Sequence, residues 1–449
     1  MSNANALDLN NDNPKRRRKK GKTIDIQPEN FSEKLVWYSI IWTYPFFLLG
    51  AVYVVGSVVG WLLFFVLLLK LWFQTDQTPP EEKITIPWIT IVWIVGMLIE
   101  QVALVMGHLD FNLPISLLIK SSIGWAKGWA SLALYPLAGC LPIRPQIVYR
   151  ATCIVCFHTL LLAPLLIMAP ILHLPEVLYV SPLKVFGGPG PTCFDVSLYE
   201  ISYEGELRQR LFTPWGPALG FLANVYFLLT LQEEEKKWRW RGVIGALFMA
   251  YICKSRLALI SAILTPVMVY VVSKLVRPSM QLFLGVGAYA FGLLSTPIIE
   301  TFTSFMDKVK GARADSTRVR ALLKDIAFAR ADKEAPIWGH GVVESGPHLV
   351  EFMPIGSHHT WAGLMFVKGV VGFWGLAIPM MLSAVVLLYK SQFQKVAGAG
   401  FGVLFILFLY TFGENLEILV YLYWPGLIVM GIAFRDTLPT RSETTSVSA

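Results

Sequence analysis

The sequence predicts an all-α, polytopic membrane protein of about twelve transmembrane helices, with a long external loop between helices 9 and 10. Three observations carry that prediction. Hydrophobic residues make up 55% of the 449-residue chain and charged residues only 15%, too little charge to coat a soluble domain of this size. The mean hydropathy is +0.56. Many apolar runs are long enough to cross a bilayer, which takes about 20 residues as helix, and a backbone in lipid must hydrogen-bond within itself, which makes helices their natural form.

The chain opens with a basic tail, residues 1–34, whose block Lys15-Arg16-Arg17-Arg18-Lys19-Lys20 accounts for much of the net charge of +8. Nucleic acid is one ligand for such a block. A disordered cytoplasmic tail that fixes topology and touches anionic membrane lipid is the other, and the polar, Pro/Asn-containing composition favours it. The apolar run begins only at Leu35 and continues too far for a cleavable signal peptide.

A membrane domain is expected over 35–434, followed by a cytoplasmic tail, 435–449. Residues 35–73 exceed one span, and Gly50, Gly56 and Gly60 predict a tight hairpin of two helices. Further spans are expected near 87–108, containing Glu100, and 122–142, containing Lys127, then 147–171 and 214–231. A short one at 242–253 is interrupted by Lys254-Ser255-Arg256 before 257–273 and 280–297. The last three cover 370–389, 397–413 and 416–434. Two polar segments stand out, the Pro/Gly/acid-rich 172–212 and the longer 299–357. The short-loop cations Lys70, Arg144, Lys236, Arg241, Lys274, Lys390 and Arg435 fall on the side of the N-terminal tail, so the positive-inside rule puts both long loops outside. No internal or inverted repeat is visible. Five cysteines, with Cys193 alone in a polar loop, support neither a zinc site nor a disulfide framework.

Four external features converge by topology. The first is Gly356-Ser357-His358-His359-Thr360-Trp361, which closes the long loop and runs on to Lys368-Gly369-Val370-Val371-Gly372. Imidazoles that can take a proton near neutral pH sit where water meets a membrane helix. A histidine at a helix end is often structural; two in succession beside a polar loop also fit a general base on a cavity rim. Gly369 and Gly372, three apart on one helix face, predict close helix packing. The second feature is Arg256, whose guanidinium faces protein, water or an anion, or snorkels to the interface. The third is Arg318 and Arg320 in Asp315-Ser316-Thr317-Arg318-Val319-Arg320-Ala321-Leu322-Leu323, an expected amphipathic helix at the interface. The fourth is Arg208 and Arg210, ahead of Leu211-Phe212-Thr213-Pro214, which also fit a membrane-flanking role. No Asp-x-Asp occurs outside, and there is neither a Gly-rich P-loop nor a GxSxG elbow. Arginines can hold phosphate oxygens by bidentate contacts without a metal.

Over about 206–390 the sequence resembles the O-antigen ligase and O-antigen polymerase superfamily of bacterial envelope glycan assembly. That family's signature is His, then usually Asn, Ser or Gln, then nine residues, then Gly-x-x-Gly. His358, His359, residues 360–368 and Gly369-Val370-Val371-Gly372 fit the spacing, with His359 in the Asn position. Ser255-Arg256 followed by Ile260 resembles a Ser-Arg element. Arg318/Arg320 with Pro336-Ile337-Trp338-Gly339-His340-Gly341 resembles an Arg, then Pro and Gly-x-Gly pattern, and Arg210 with Leu211-Phe212-Thr213-Pro214 is a weaker match. The resemblance implies a GT-C-like, multi-pass protein of the bacterial inner membrane. It implies inverting transfer of a glycan, without metal or cofactor, from an undecaprenyl-diphosphate-linked donor to a glycan or lipid A-core acceptor at the periplasmic face. His358 is then the base. Arg256, Arg320, Arg318 and Arg210 bind the diphosphate, and His359 and Trp361 support them. A diphosphate leaving group needs charge stabilisation, and a sugar hydroxyl gains from a base. Nucleic acid is not an expected partner. A transporter or flippase of lipid-linked saccharides is the alternative, although it would spread charges through the spans.

Overall fold

In the computed structural model, the described residues are 26–79, 83–201, 205–297, 299–301, 303–304 and 314–437, excepting the side chains of 314–317. The basic block Lys15–Lys20, most of the predicted N-terminal tail and most of the C-terminal tail lie outside them.

Asn30 caps the first helix, its side-chain oxygen accepting from the Glu33 amide at 2.9 Å. The chain thus enters α1 (Phe31–Ile41) before the predicted tail ends at 34. Short α2 (Thr43–Leu48) follows, and Gly50, at φ +61°, turns the chain into α3 (Val52–Phe73). Of the three glycines assigned to the 35–73 hairpin, only Gly50 makes the turn. Gly56 and Gly60 lie inside α3, where their missing side chains admit the Tyr421 backbone and the Tyr135 ring.

After α4 (Trp88–Asp110), the predicted single span 122–142 is replaced by two helices, α5 (Ile115–Lys127) and α6 (Trp129–Ala138). Gly128 breaks them apart at φ −102°, ψ −91°. A Cβ there would stand 2.4 Å from the Glu417 side chain, so the break makes room for a carboxylate from a distant helix. Pro145 opens α7 (Pro145–Ile171), where its missing N–H costs nothing. The 172–212 loop adds a little sheet to the all-α expectation. β1 (Val177–Val180) pairs antiparallel with β2 (Asp195–Ser197), and β3 (Glu200–Ile201) with β4 (Leu207–Arg208).

Next come α8 (Gly216–Leu231), α9 (Lys236–Ile252), α10 (Arg256–Val272) and α11 (Pro278–Leu293). The predicted break before α10 is real: Lys254 takes φ +51° and the Ser255 hydroxyl caps the new helix by accepting from the Ala258 amide. Within the 299–357 loop, the helix expected around 315–323 extends over α12 (Ala314–Glu334). The chain ends in α13 (Thr360–Ser391), α14 (Lys395–Tyr410) and α15 (Leu416–Arg435).

The fold is therefore mostly helical and of membrane type. Five helices among the described residues, α3, α4, α7, α13 and α15, are long and apolar enough to cross a bilayer. A sixth is reached if α11 and Ser295–Thr301, bent by 81°, count as one. The apolar helices α8, α10 and α14 have 16 or 17 residues, about 25 Å at 1.5 Å per residue and short of a ~30 Å hydrocarbon core. Against the twelve spans expected, five helices among the described residues, or six with that bent pair, have the length and composition to cross.

Small residues set the tightest crossings, as packing in lipid requires. A Cβ on Gly96 of α4 would lie 2.3 Å from the Gly375 carbonyl of α13, and one on Gly431 of α15 would lie 2.1 Å from the Pro136 carbonyl of α6. The short-loop cations gather at one end of the bundle. There Arg144 pairs with Glu33 (2.8 Å), Arg150 with Glu233 (2.9 Å), and Lys390 donates to the Phe434 carbonyl (2.7 Å). The 172–212 ribbons, the Lys254 break and the start of α13 lie at the other. All five cysteines are free and buried, Cys193 included despite its polar surroundings in sequence.

Candidate functional site

The segment that carries the Gly-x-x-Gly spacing is a helix break. Gly369 takes φ +62°, ψ −162° inside α13, in its first third, which leaves backbone groups on both sides without helical partners. The 336–341 loop satisfies them. His340 and Gly341 amides donate to the Phe366 and Val367 carbonyls (2.8 and 2.9 Å), and the Val370 amide donates to the Pro336 carbonyl (2.9 Å). A Cβ on Gly369 would lie 2.2 Å from the Ile337 carbonyl, and one on Gly339 (φ +69°) would lie 2.3 Å from the Lys368 amide. The expectation that Gly369 and Gly372 present one smooth face for helix packing is corrected. Gly369 bends the helix around a loop, and Gly372 makes room for the Lys368 stem.

The first turn of α13 is tied to the 411–415 loop between α14 and α15. The Thr360 amide donates to the Thr411 carbonyl (2.9 Å), and the Thr360 hydroxyl donates to the Glu414 carbonyl (2.7 Å). Trp361 contributes its indole N–H to the Thr411 hydroxyl (2.9 Å) and leans on Phe373. Its part is to hold the helix start.

The two adjacent histidines differ in environment. His359 is the N-cap of α13, its Nδ1 accepting from the Ala362 amide at 3.3 Å, and its ring lies between the edges of Phe328 and Phe412. His358, one residue earlier, is partly buried. Burial first, then the charge of Arg320 on α12, holds its imidazole down to about 4, so the ring is neutral at working pH. Arg318 is two residues, or about 200°, away around the same helix and is exposed. Arg320 is thus the member of this pair that faces the histidine.

A carboxylate that the sequence reading passed over completes the cluster. Glu414 is 2% exposed, and the Trp215 indole donates to its Oε2 at 2.9 Å. Burial raises its carboxyl to about 7 against the opposing pull of Arg320 and Arg208. The only sequence signal was Gly413-Glu414-Asn415, a polar interruption between two apolar runs.

Arg208 stands between Glu414 and Glu200, with which it makes a bidentate pair at 2.7 and 3.0 Å. Arg256 begins α10 and is partly buried; its neighbour Leu257 packs 3.5 Å from where a Cβ on Gly413 would be. The Gln209 amide donates to the Ile252 carbonyl (3.1 Å), which joins the 208–216 segment to the same α9–α10 corner. His358, Arg320, Arg208, Glu414 and the start of α10 therefore converge at one end of the bundle. Arg210 does not join them. It is buried, paired with Asp195 (2.8 Å), and donates to the Ser197 hydroxyl and the Pro214 carbonyl. Those bonds occupy its guanidinium in fixing the ribbon to α8, which leaves Arg208 as the arginine of this strand that reaches the cluster.

Among the described residues, no three or more His, Cys, Asp or Glu side chains gather as metal ligands. No known protein family matches the chain, and no curated protein is significantly similar to it.

Proposed function

We propose that the protein is a membrane glycosyltransferase that moves a glycan from a lipid diphosphate carrier to an acceptor hydroxyl, as an O-antigen ligase or a polysaccharide polymerase does. One observation carries the reading: the charge of Arg320 acts both on the imidazole of His358, held neutral, and on the buried carboxyl of Glu414, where loops meet membrane helices. The acceptor oxygen attacks the anomeric carbon as the bond to the carrier diphosphate breaks, with inversion. The hydroxyl proton passes to His358, and the lipid diphosphate leaves stabilised by Arg320 and Arg256, with Arg208 adding positive charge. Glu414 lies within the field of Arg320 and Arg208 and balances part of their charge. Donor binding also primes the base, because a diphosphate on Arg320 cancels the charge that depresses His358.

In this reading the long loops face the periplasm of a bacterial inner membrane, and the shorter helices complete about twelve passes. The test is transfer by the purified chain in liposomes with a lipid-diphosphate-linked glycan. Turnover that is lost in Arg320→Ala supports the reading, and equal turnover in that variant contradicts it. A second reading, a transporter or flippase of lipid-linked saccharides, has one observation in its favour. Glu100 and Lys368 form a 2.7 Å ion pair inside the spans α4 and α13. It predicts carrier movement across the bilayer with no change in the glycan.

A further inference from the structure

The cations at the short-loop end of the bundle differ in what holds them. Arg144 and Arg150 pair with carboxylates, and Lys390 donates to helix-end carbonyls. Arg241, the sixth residue of α9, does neither. Among the described residues its guanidinium makes no ion pair or hydrogen bond to an oxygen; it stands 4.7 Å from the Phe157 ring centre and 4.9 Å from that of Trp238. We propose that Arg241 and Lys237 bind the phosphodiester headgroup of an anionic, two-chain phospholipid on the α7–α9 face, at the end of the bundle opposite the His358 cluster.

The position follows from packing. Gly242 and Gly245 let α9 press on α7: a Cβ on each would lie 2.6 Å from the Cys153 sulfur and 2.3 Å from the Cys156 carbonyl oxygen. Arg241 is therefore level with Cys153, about 12 Å along the axis from the start of α7. With 27 residues, α7 is about 40 Å long and overruns a ~30 Å hydrocarbon core by about 5 Å at each end. The long arginine stem thus carries its charge to the level where lipid phosphates meet acyl chains.

The chemistry follows from the guanidinium's surroundings. It carries five N–H donors, and leaving them without acceptors at a lipid-facing surface is costly. The Phe157 and Trp238 rings meet at 89° and corner it. Arg150 backs the Trp238 ring at 5.5 Å and occupies Glu233 and Glu235, each at 2.9 Å. Glu234 is exposed and makes no ion pair among the described residues. Lys237, also exposed, lies one turn before Arg241 on the same face and adds a second positive charge. The planar fork of Arg241 suits two oxygens of a phosphodiester. Beyond it, Ile244 and Leu247 on α9 and Leu161 on α7 are 52%, 42% and 62% exposed, which gives each of two acyl chains an apolar helix to follow.

The test titrates the purified, delipidated full chain with phosphatidylglycerol in detergent and counts bound lipid by native mass spectrometry. One phosphatidylglycerol per chain is expected to bind in preference to phosphatidylcholine. It is expected to stay bound against inorganic phosphate, which separates a lipid headgroup from a free anion. Arg241→Gln is expected to weaken binding by roughly ten-fold or more, the loss of charge-assisted contacts. Phe157→Leu keeps an apolar side chain, and with it the fold, and is expected to weaken binding by releasing the guanidinium. Lys274→Gln, at a cation of the same end that lies over the Tyr270 ring, is expected to bind as the wild type. Binding is read without turnover, so it stands whether or not the transfer reading holds. Wild-type affinity in a folded Arg241→Gln chain overturns the proposal, as does wild-type affinity in Phe157→Leu. So does an equal loss in Lys274→Gln, which indicates general surface charge, or ready displacement by inorganic phosphate.

Discussion

The Trp215 indole donates to the Glu414 carboxylate at 2.9 Å, joining residues 199 positions apart in the chain. This bond reaches a buried carboxyl whose proton affinity burial raises to about 7. Between its ordinary value of 4.5 and 7, the folded protein keeps a proton that the unfolded chain releases. The stabilisation is complete below about pH 4.5 and declines as pH rises through 7. Glu414→Gln removes that decline. Relative to wild type, the variant is expected to gain roughly 3 kcal/mol between pH 4 and pH 8, taking about 1.4 kcal/mol per pKa unit. Unfolding of the purified protein at the two pH values measures it, and a difference independent of pH contradicts the buried-acid assignment.

Two glycines should respond in opposite directions to alanine. Gly369→Ala places a Cβ 2.2 Å from the Ile337 carbonyl at a backbone angle of φ +62°, and rigid backbone cannot yield. A loss of at least about 3 kcal/mol is expected, beyond ordinary surface effects. Gly124→Ala meets open space within a helix and is expected to gain about 0.5–1 kcal/mol. Thermal unfolding in detergent compares them.

These two positions also mark what the sequence could and could not reveal. Apolar runs located α4, α7, α8, α10, α14 and α15 within a few residues, because burial in lipid is written in composition alone. The breaks at Gly128 and Gly369 were hidden, because each exists for a partner elsewhere, the Glu417 side chain and the 336–341 loop. The spacing from His358 to Gly369 was legible as a motif, yet its meaning as a bent helix was not. Of the pair Arg208 and Arg210, the sequence resemblance pointed to Arg210. The ribbon pairs Arg210 with Asp195 and Arg208 with Glu200, which sends only Arg208 toward Glu414. Glu414 carried almost no signal, since its partners Trp215 and Arg320 come from remote segments.

The Glu100–Lys368 pair is buried at both ends, and Lys368 also lies 4.3 Å above the Trp129 ring. Lys368→Met leaves an uncompensated buried carboxylate and is expected to cost about 3–5 kcal/mol. Adding Glu100→Gln should recover most of the loss. A double variant no more stable than Lys368→Met shows that the pair is not the source of the effect.

The two histidines separate stability from turnover. His359→Ala removes an N-cap and is expected to lower stability by about 1 kcal/mol, whereas His359→Asn keeps a capping oxygen and should be mild. His358→Ala is expected to lose about 10²–10⁴ in rate, the range for a general base, with little change in unfolding. If His358→Ala is active and His359→Asn is not, the base is His359.

The most direct measurement is the fate of lipid-diphosphate-linked glycan in cells that lack this protein, complemented with wild type, His358→Ala or Arg320→Ala. Transfer at the His358–Arg320–Glu414 cluster predicts that carrier-linked glycan accumulates in the deletion strain. It also predicts that wild type clears the glycan, while both variants leave it in place despite normal protein levels. Unchanged carrier-linked glycan in the deletion strain, or full clearance by both variants, contradicts the account.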